Sequence, residues 1–104
     1  PQELAKQYDC IVLLKGEEDI AASPTETRVI KGGNAGMTRG GTGDVLAGLI
    51  AALACKNDPF LATIAGSFIN KRAGDALYKT VGPYFNATDL AIQIPLTMKT
   101  LIET

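Results

Sequence analysis

Gly32-Gly33-Asn34-Ala35-Gly36-Met37-Thr38-Arg39-Gly40-Gly41-Thr42-Gly43 places six glycines in twelve residues and leads directly into Asp44-Val45-Leu46. Glycine reaches this density where the backbone must bend sharply or approach something closely. Immediately afterwards Val45, Leu46, Leu49, Ile50 and Leu53 recur at helical spacing, with Ala47, Gly48, Ala51 and Ala52 between them. That pattern predicts a well-buried helix beginning near Gly43. The loop therefore feeds a helix amino terminus, where unpaired N–H groups carry roughly half a positive charge. Glycines that let a ligand press against those amides make Gly40-Gly41-Thr42-Gly43 a candidate anion site. Asp44 falls in the first turn, beside any phosphate bound there. Two readings of it stay open: a charge that merely stabilises the helix start, or a base that takes a proton from a hydroxyl attacking phosphorus. The loop is not a Walker A motif, because no Gly-Lys-Ser or Gly-Lys-Thr follows. It is a poor dinucleotide fingerprint too, since the preceding strand is polar and the third glycine is out of place.

Upstream, Gln2 to Gln7 is short and helix-tolerant, and Cys10-Ile11-Val12-Leu13-Leu14 is a continuous apolar run of the kind found in strands buried on both faces of a parallel sheet. Ile20 to Ser23 and Thr27 to Ile30 are short, half-polar and joined by Pro24-Thr25-Glu26, which predicts a hairpin. Downstream, Asp58-Pro59 is an N-cap and first-turn signature for a helix running to about Thr80, ended by Val81-Gly82-Pro83. Thr88-Asp89 caps a short helical turn that Pro95 interrupts, leaving Leu96 to Ile102 as a terminal helix. Several helices with one central strand imply that most of the sheet is missing, so the chain reads as a piece of a larger domain.

The 104 residues suit one small domain, with 46% hydrophobic and 20% charged residues, as in an ordinary globular soluble protein. Ten basic and eleven acidic residues are scattered and give a net charge of -1, which points away from nucleic acid and from an anionic membrane. No apolar run of membrane-spanning length and no signal-peptide plan is present, and a cytoplasmic location is expected. Cys10 and Cys55 lack the close spacing of a metal knuckle or redox pair and read as buried, reduced thiols. The chain has no histidine, so proton transfer falls to a carboxylate, lysine or tyrosine.

Leu13-Leu14-Lys15-Gly16, the acidic Glu17 to Asp19, Asn34-x-Gly36-Met37, Gly40-Gly41-Thr42-Gly43-Asp44-Val45-Leu46-x-Gly48 and Ala73-Gly74-Asp75 follow one another in an order that resembles the NAD(P)H-hydrate dehydratase family of the ribokinase-like superfamily. The resemblance spans roughly residues 4 to 104. It implies an α/β fold: the carboxy-terminal, nucleotide- and phosphate-binding part of a ribokinase-like three-layer α/β/α domain, with residues 1–104 forming a single partial domain. It also implies an enzyme, a lyase that repairs hydrated NADH or NADPH at the expense of ADP or ATP through a phosphorylated intermediate.

By the same resemblance Lys15, Gly16, Glu17, Glu18, Asp19, Gly41, Thr42 and Gly43 would line the nucleotide site. Asn34 and Asp44 would meet the hydrated substrate, and Asp44 would be the catalytic base. No residue is assigned as a metal ligand; Mg2+ would bridge the phosphates. Lys15 also has a plain reading as a solvated strand terminus, and Asp75 reads as an ordinary helix residue. The chain departs from the family pattern at Ala35, where proline is usual, and at Asn70, where histidine is usual; neither position touches the anion loop. The portion that in relatives supplies most of the parallel sheet is missing, so the segment alone is expected to be inactive and to self-associate as a homo-oligomer through the exposed strand edge. Two alternatives remain at this stage: a ribokinase-like kinase of a small alcohol or vitamin precursor, and a non-catalytic binding domain whose glycine loop is a structural turn.

Overall fold

A computed structural model describes residues 1–103. Helix α1 (Gln2–Tyr8) leads into three strands, β1 (Val12–Leu14), β2 (Asp19–Ala22) and β3 (Thr27–Ile30). A 3-10 turn (Ala35–Thr38) then precedes α2 (Thr42–Ala54), α3 (Pro59–Val81) and α4 (Ala87–Glu103). The strands form one antiparallel sheet in the order β1-β2-β3. The hairpin lies where its sequence puts it, with Asp19 opposite Ile30 and Ala22 opposite Thr27. Ser23 shapes its turn: Ser23 Oγ accepts from the Thr25 and Glu26 amides.

The first strand differs from expectation. Rather than standing alone in a parallel sheet, β1 pairs antiparallel with β2, Leu13 opposite Ala21. It is not buried on both faces either, since Leu14 is 52% exposed. An apolar run specifies a strand but not its partner, and the hairpin is the neighbour within reach. Both cysteines are free, as expected, but exposed rather than buried. Cys10 follows the left-handed Asp9 that ends α1, and Cys55 lies just past the last turn of α2.

Helix α3 is the central element, packing against α2 and α4 on one side and against β2 and β3 on another. Its start is capped as the sequence predicts: Asp58 Oδ2 accepts from Leu61 N at 3.0 Å. Ala73, Leu90 and Ile94 form the core, with Val45, Leu49, Ile69, Leu77 and Met98 packed around them. The terminal helix is longer than expected. Asn86 Oδ1 accepts from Asp89 N and Asp89 Oδ2 accepts from Asn86 N, a reciprocal capping pair that starts α4 ahead of Thr88. Pro95 lies inside this helix without breaking it. Its position is exposed, while Leu90, Ile94 and Thr97 are buried, so packing of the inner face outweighs a local penalty of about 3 kcal/mol. Among the described residues no helix is long and apolar enough to cross a membrane.

The α2–α3 crossing depends on Gly66, where an added Cβ would stand 2.5 Å from Ile50 Cγ1. Gly66→Ala gains about 1 kcal/mol of helix propensity but overpacks a contact at a cost of about 1–3 kcal/mol. A net loss of about 1 kcal/mol is expected as a lowered urea midpoint. An unchanged or raised midpoint would show that the helices can separate at that point.

Candidate functional site

The glycine loop is held in place by α3. Gly33 takes a positive φ of 87°, a conformation most side chains avoid, and its N–H donates to Asp75 Oδ2 at 3.2 Å. The Asn34 Nδ2 group donates to Gly74 O at 2.9 Å and Asp75 Oδ1 at 3.1 Å, and Asn34 Oδ1 accepts from Gly36 N at 3.0 Å. Met37 Sδ lies against Gly74, where a side chain would collide with it. Asp75 is therefore not an ordinary helix residue; it anchors the glycine loop that leads into α2.

A second strap reaches the Lys15–Asp19 loop. Lys71, buried on α3, points Nζ at Gly32 O (3.2 Å), Glu17 O (3.3 Å) and Gly16 O (3.4 Å), and stands 3.5 Å from Asp19 Oδ1. Asp19 also accepts from Gly16 N at 3.0 Å and from Ser67 Oγ at 2.8 Å. One buried ammonium thus ties the turn after β1 to the turn after β3, with its charge balanced by Asp19. Ser67, Lys71 and Asp75 lie four residues apart along α3, so they form one polar stripe on an inward face.

Between the straps lies a cavity of about 940 Å³. Its wall includes Lys15, Gly16, Glu17, Asp19, Asn34, Thr42 and Gly43 from the residues picked out in the sequence. Glu18, Gly41 and Asp44 are not in the wall. Glu18 is exposed and 3.8 Å from Lys31 Nζ. Gly41 is the helix N-cap, with a φ of 89°. Asp44 is exposed, one residue beyond Gly43, and its carboxylate makes no hydrogen bond or ion pair with a described residue. Asp19, although it lines the cavity, is 4% exposed and already committed to Lys71, Ser67 and Gly16. The Asn34 amide is likewise occupied in shaping the loop.

The start of α2 is partly closed on itself. Thr42 N donates to Arg39 O at 3.3 Å, while Asp44 N (3.1 Å) and Val45 N (3.3 Å) both reach Gly41 O. The Thr42 hydroxyl is used locally, within 2.8 Å of the Met37 and Arg39 carbonyls. Gly43 N has no acceptor among the described residues. Above it stands Lys15: a Cβ on Gly43 would be 3.0 Å from Lys15 Nζ. Lys15 has no carboxylate within ion-pair distance among the described residues. A cation at the positive end of a helix, over a free amide, is unfavourable in isolation and becomes favourable when an anion sits between them. Sequence reasoning found Lys15 and Gly43 but missed the residues that hold them. Ser67 and Lys71 are polar positions inside a helix that the sequence defined only by its two ends, Asp58-Pro59 and Val81-Gly82-Pro83.

Among the described residues no three His, Cys, Asp or Glu side chains gather to hold a metal.

Comparison with known proteins gives a consistent picture. The family model for NAD(P)H-hydrate dehydratase matches residues 1–96. The chain is 45% identical over 94 residues to the bifunctional NAD(P)H-hydrate repair enzyme of Archaeoglobus fulgidus, covering 90% of this chain and 20% of that protein. It is 40% identical over 99 residues to the ADP-dependent (S)-NAD(P)H-hydrate dehydratase of Nitrosopumilus maritimus, covering 94% of this chain and 34% of the relative. The crystal structure of the ADP/ATP-dependent NAD(P)H-hydrate dehydratase of Bacillus subtilis, co-crystallised with ATP and Mg2+, superposes with a TM-score of 0.86 at 26% identity. That superposition covers 95% of this chain and 37% of the other. The chain therefore spans between a fifth and two fifths of the length of these proteins.

Proposed function

The chain belongs to the NAD(P)H-hydrate dehydratase family, and from that premise we propose that it supplies the nucleotide-phosphate site and the catalytic base of an enzyme that dehydrates hydrated NADH or NADPH at the expense of ADP or ATP. The observation that carries this reading is the positive locus made by the unpaired Gly43 amide, the α2 amino terminus and the Lys15 ammonium at the edge of a nucleotide-sized cavity. Gly43 and Lys15 hold the phosphate that is transferred and stabilise charge on it as the reaction proceeds. Lys15 to Asp19 form the loop along the nucleotide, fixed from below by Lys71, and Thr42 fixes the bend before Gly43. Magnesium, arriving with the nucleotide, supplies further charge neutralisation.

Asp44 adjoins the phosphate position on the exposed side of Gly43, where a substrate hydroxyl can approach. Its carboxylate takes the hydroxyl proton as the oxygen bonds to phosphorus and the nucleotide leaves. Elimination then breaks the ring carbon–oxygen bond of the resulting ester: inorganic phosphate leaves, the neighbouring ring carbon gives up a proton to water, and the double bond of the reduced nicotinamide is restored. Asn34 shapes the loop on the way to the substrate. The outer edge of β1, where Leu14 is half exposed, is the surface through which the chain self-associates.

The kinase alternative uses the same groups and differs in its product. The intact natural protein mixed with ADP or ATP, Mg2+ and hydrated NADH is expected to restore the absorbance of NADH; accumulation of a stable phosphorylated alcohol from another substrate would support the kinase. Binding is tested separately. Gly43→Ala puts a methyl group between the amide and Lys15, and Lys15→Met removes the cation. Each deletes one charge-assisted contact worth about 1.5–3 kcal/mol, so affinity for ADP or ATP in calorimetry is expected to fall by about 10- to 100-fold. An unchanged affinity for both variants would place the phosphates elsewhere.

A further inference from the structure

Asn70 is 5% exposed, lies in the cavity wall, and its Oδ1 has no hydrogen-bond partner. Nor does its Nδ2 take part in any hydrogen bond among the described residues. Its neighbours on the same stripe of α3 are all engaged: Ser67 and Lys71 on Asp19, Gly74 and Asp75 on the loop at Asn34. Buried amides are paired in folded proteins, so one left open at the wall of a cavity is a group awaiting a ligand.

We propose that Asn70 reads the edge of the adenine base of the bound nucleotide, Oδ1 accepting from the 6-amino group while Nδ2 donates to N7. The proposal rests on the nucleotide reading above, which fixes the phosphates at Gly43 and Lys15 and leaves the rest of the cavity to the nucleoside. A carboxamide offers an acceptor beside a donor in one plane, and among purines adenine presents the complementary donor beside an acceptor. Guanine presents two acceptors on that edge and leaves Oδ1 facing an oxygen. The surroundings suit a flat ring, since buried Leu46 and half-buried Met37 share the wall with Asn70. Rotation of the amide interchanges its two ends, so the ligand selects the order.

The test compares ATP with purine riboside triphosphate, which lacks the 6-amino group, and with 7-deaza-ATP, which lacks the N7 acceptor, by calorimetry on the intact natural protein. The natural protein is expected to bind each analogue about 5- to 10-fold more weakly than ATP. Asn70→Leu is expected to bind all three within about twofold of one another. Asn70→Asp keeps the acceptor and loses the donor, so it should still reject the 6-desamino analogue while accepting 7-deaza-ATP as well as ATP. Equal binding of the three nucleotides by the natural protein overturns the proposal, and that arm stands even if Asn70→Leu does not fold. Undiminished discrimination in a folded Asn70→Leu protein, with lowered stability alone, also overturns it, because Asn70 would then be met by a protein group or a water. Failure of ATP itself to bind the natural protein removes the nucleotide reading along with this one.

Discussion

Asp44→Asn is expected to reduce turnover of hydrated NADH by about a hundredfold or more while leaving affinity for ADP or ATP within about twofold. The separation follows from where the residue lies. Gly43 and Lys15 form the phosphate locus, whereas Asp44 is exposed beyond the cavity wall with its carboxylate uncommitted. Asparagine keeps the size but loses the charge that favours the helix start, and it cannot accept a proton from an attacking hydroxyl. An aspartate that only stabilises the helix dipole behaves differently: its replacement by asparagine leaves the rate nearly unchanged and costs about 0.3–1 kcal/mol of stability. Steady-state rates together with binding constants separate the two cases. Turnover within a few-fold of the natural protein would remove Asp44 from the chemistry.

Lys71→Met should be the most damaging single change to the fold of the site. Lys71 and Asp19 have side chains only 7% and 6% exposed, so solvent does little to screen either charge. Removing the ammonium strands a buried carboxylate and frees three carbonyls on two loops, and loss of one partner from a buried pair costs about 3–5 kcal/mol. Ser67 still donates to Asp19, which retains part of the network. A lowered urea midpoint and weakened nucleotide binding are expected together. Replacing Asp19 by leucine in the same chain should recover much of the stability, because no unpaired charge remains, without recovering nucleotide affinity, because the loops are no longer tied. A loss below about 1 kcal/mol in Lys71→Met would mean that Asp19 is satisfied without its partner.

What could be read from the sequence was what is locally determined. The glycine run and the apolar spacing from Val45 to Leu53 define the loop-to-helix junction, Asp58-Pro59 defines the start of α3, and the hairpin follows from two short strands and their turn. Each depends on residues near one another in the chain. The partner of Cys10 to Leu14 was not legible, because pairing is decided by what folds alongside. Pro95 was given too much weight: its penalty is local, whereas the packing of Leu90, Ile94 and Thr97 that overrides it is tertiary. At the site, Lys15, Gly43 and Asp44 were visible as motif residues. Their supports were hidden because Ser67, Lys71 and Asp75 are polar, and polar residues on a helix are ordinarily assigned to solvent. Their spacing held the information: polar side chains recurring every four residues along a helix mark an inward stripe as readily as a wet one.

The most direct measurement is a crystal structure of the intact natural protein with Mg2+ and a non-hydrolysable ATP analogue. A terminal phosphate oxygen is expected about 2.7–3.2 Å from Gly43 N, with Lys15 Nζ on the same phosphate and the Asp44 carboxylate facing the side from which a hydroxyl would attack. Phosphates bound away from the start of α2, with Gly43 N satisfied by another group and Lys15 turned to solvent, would contradict it.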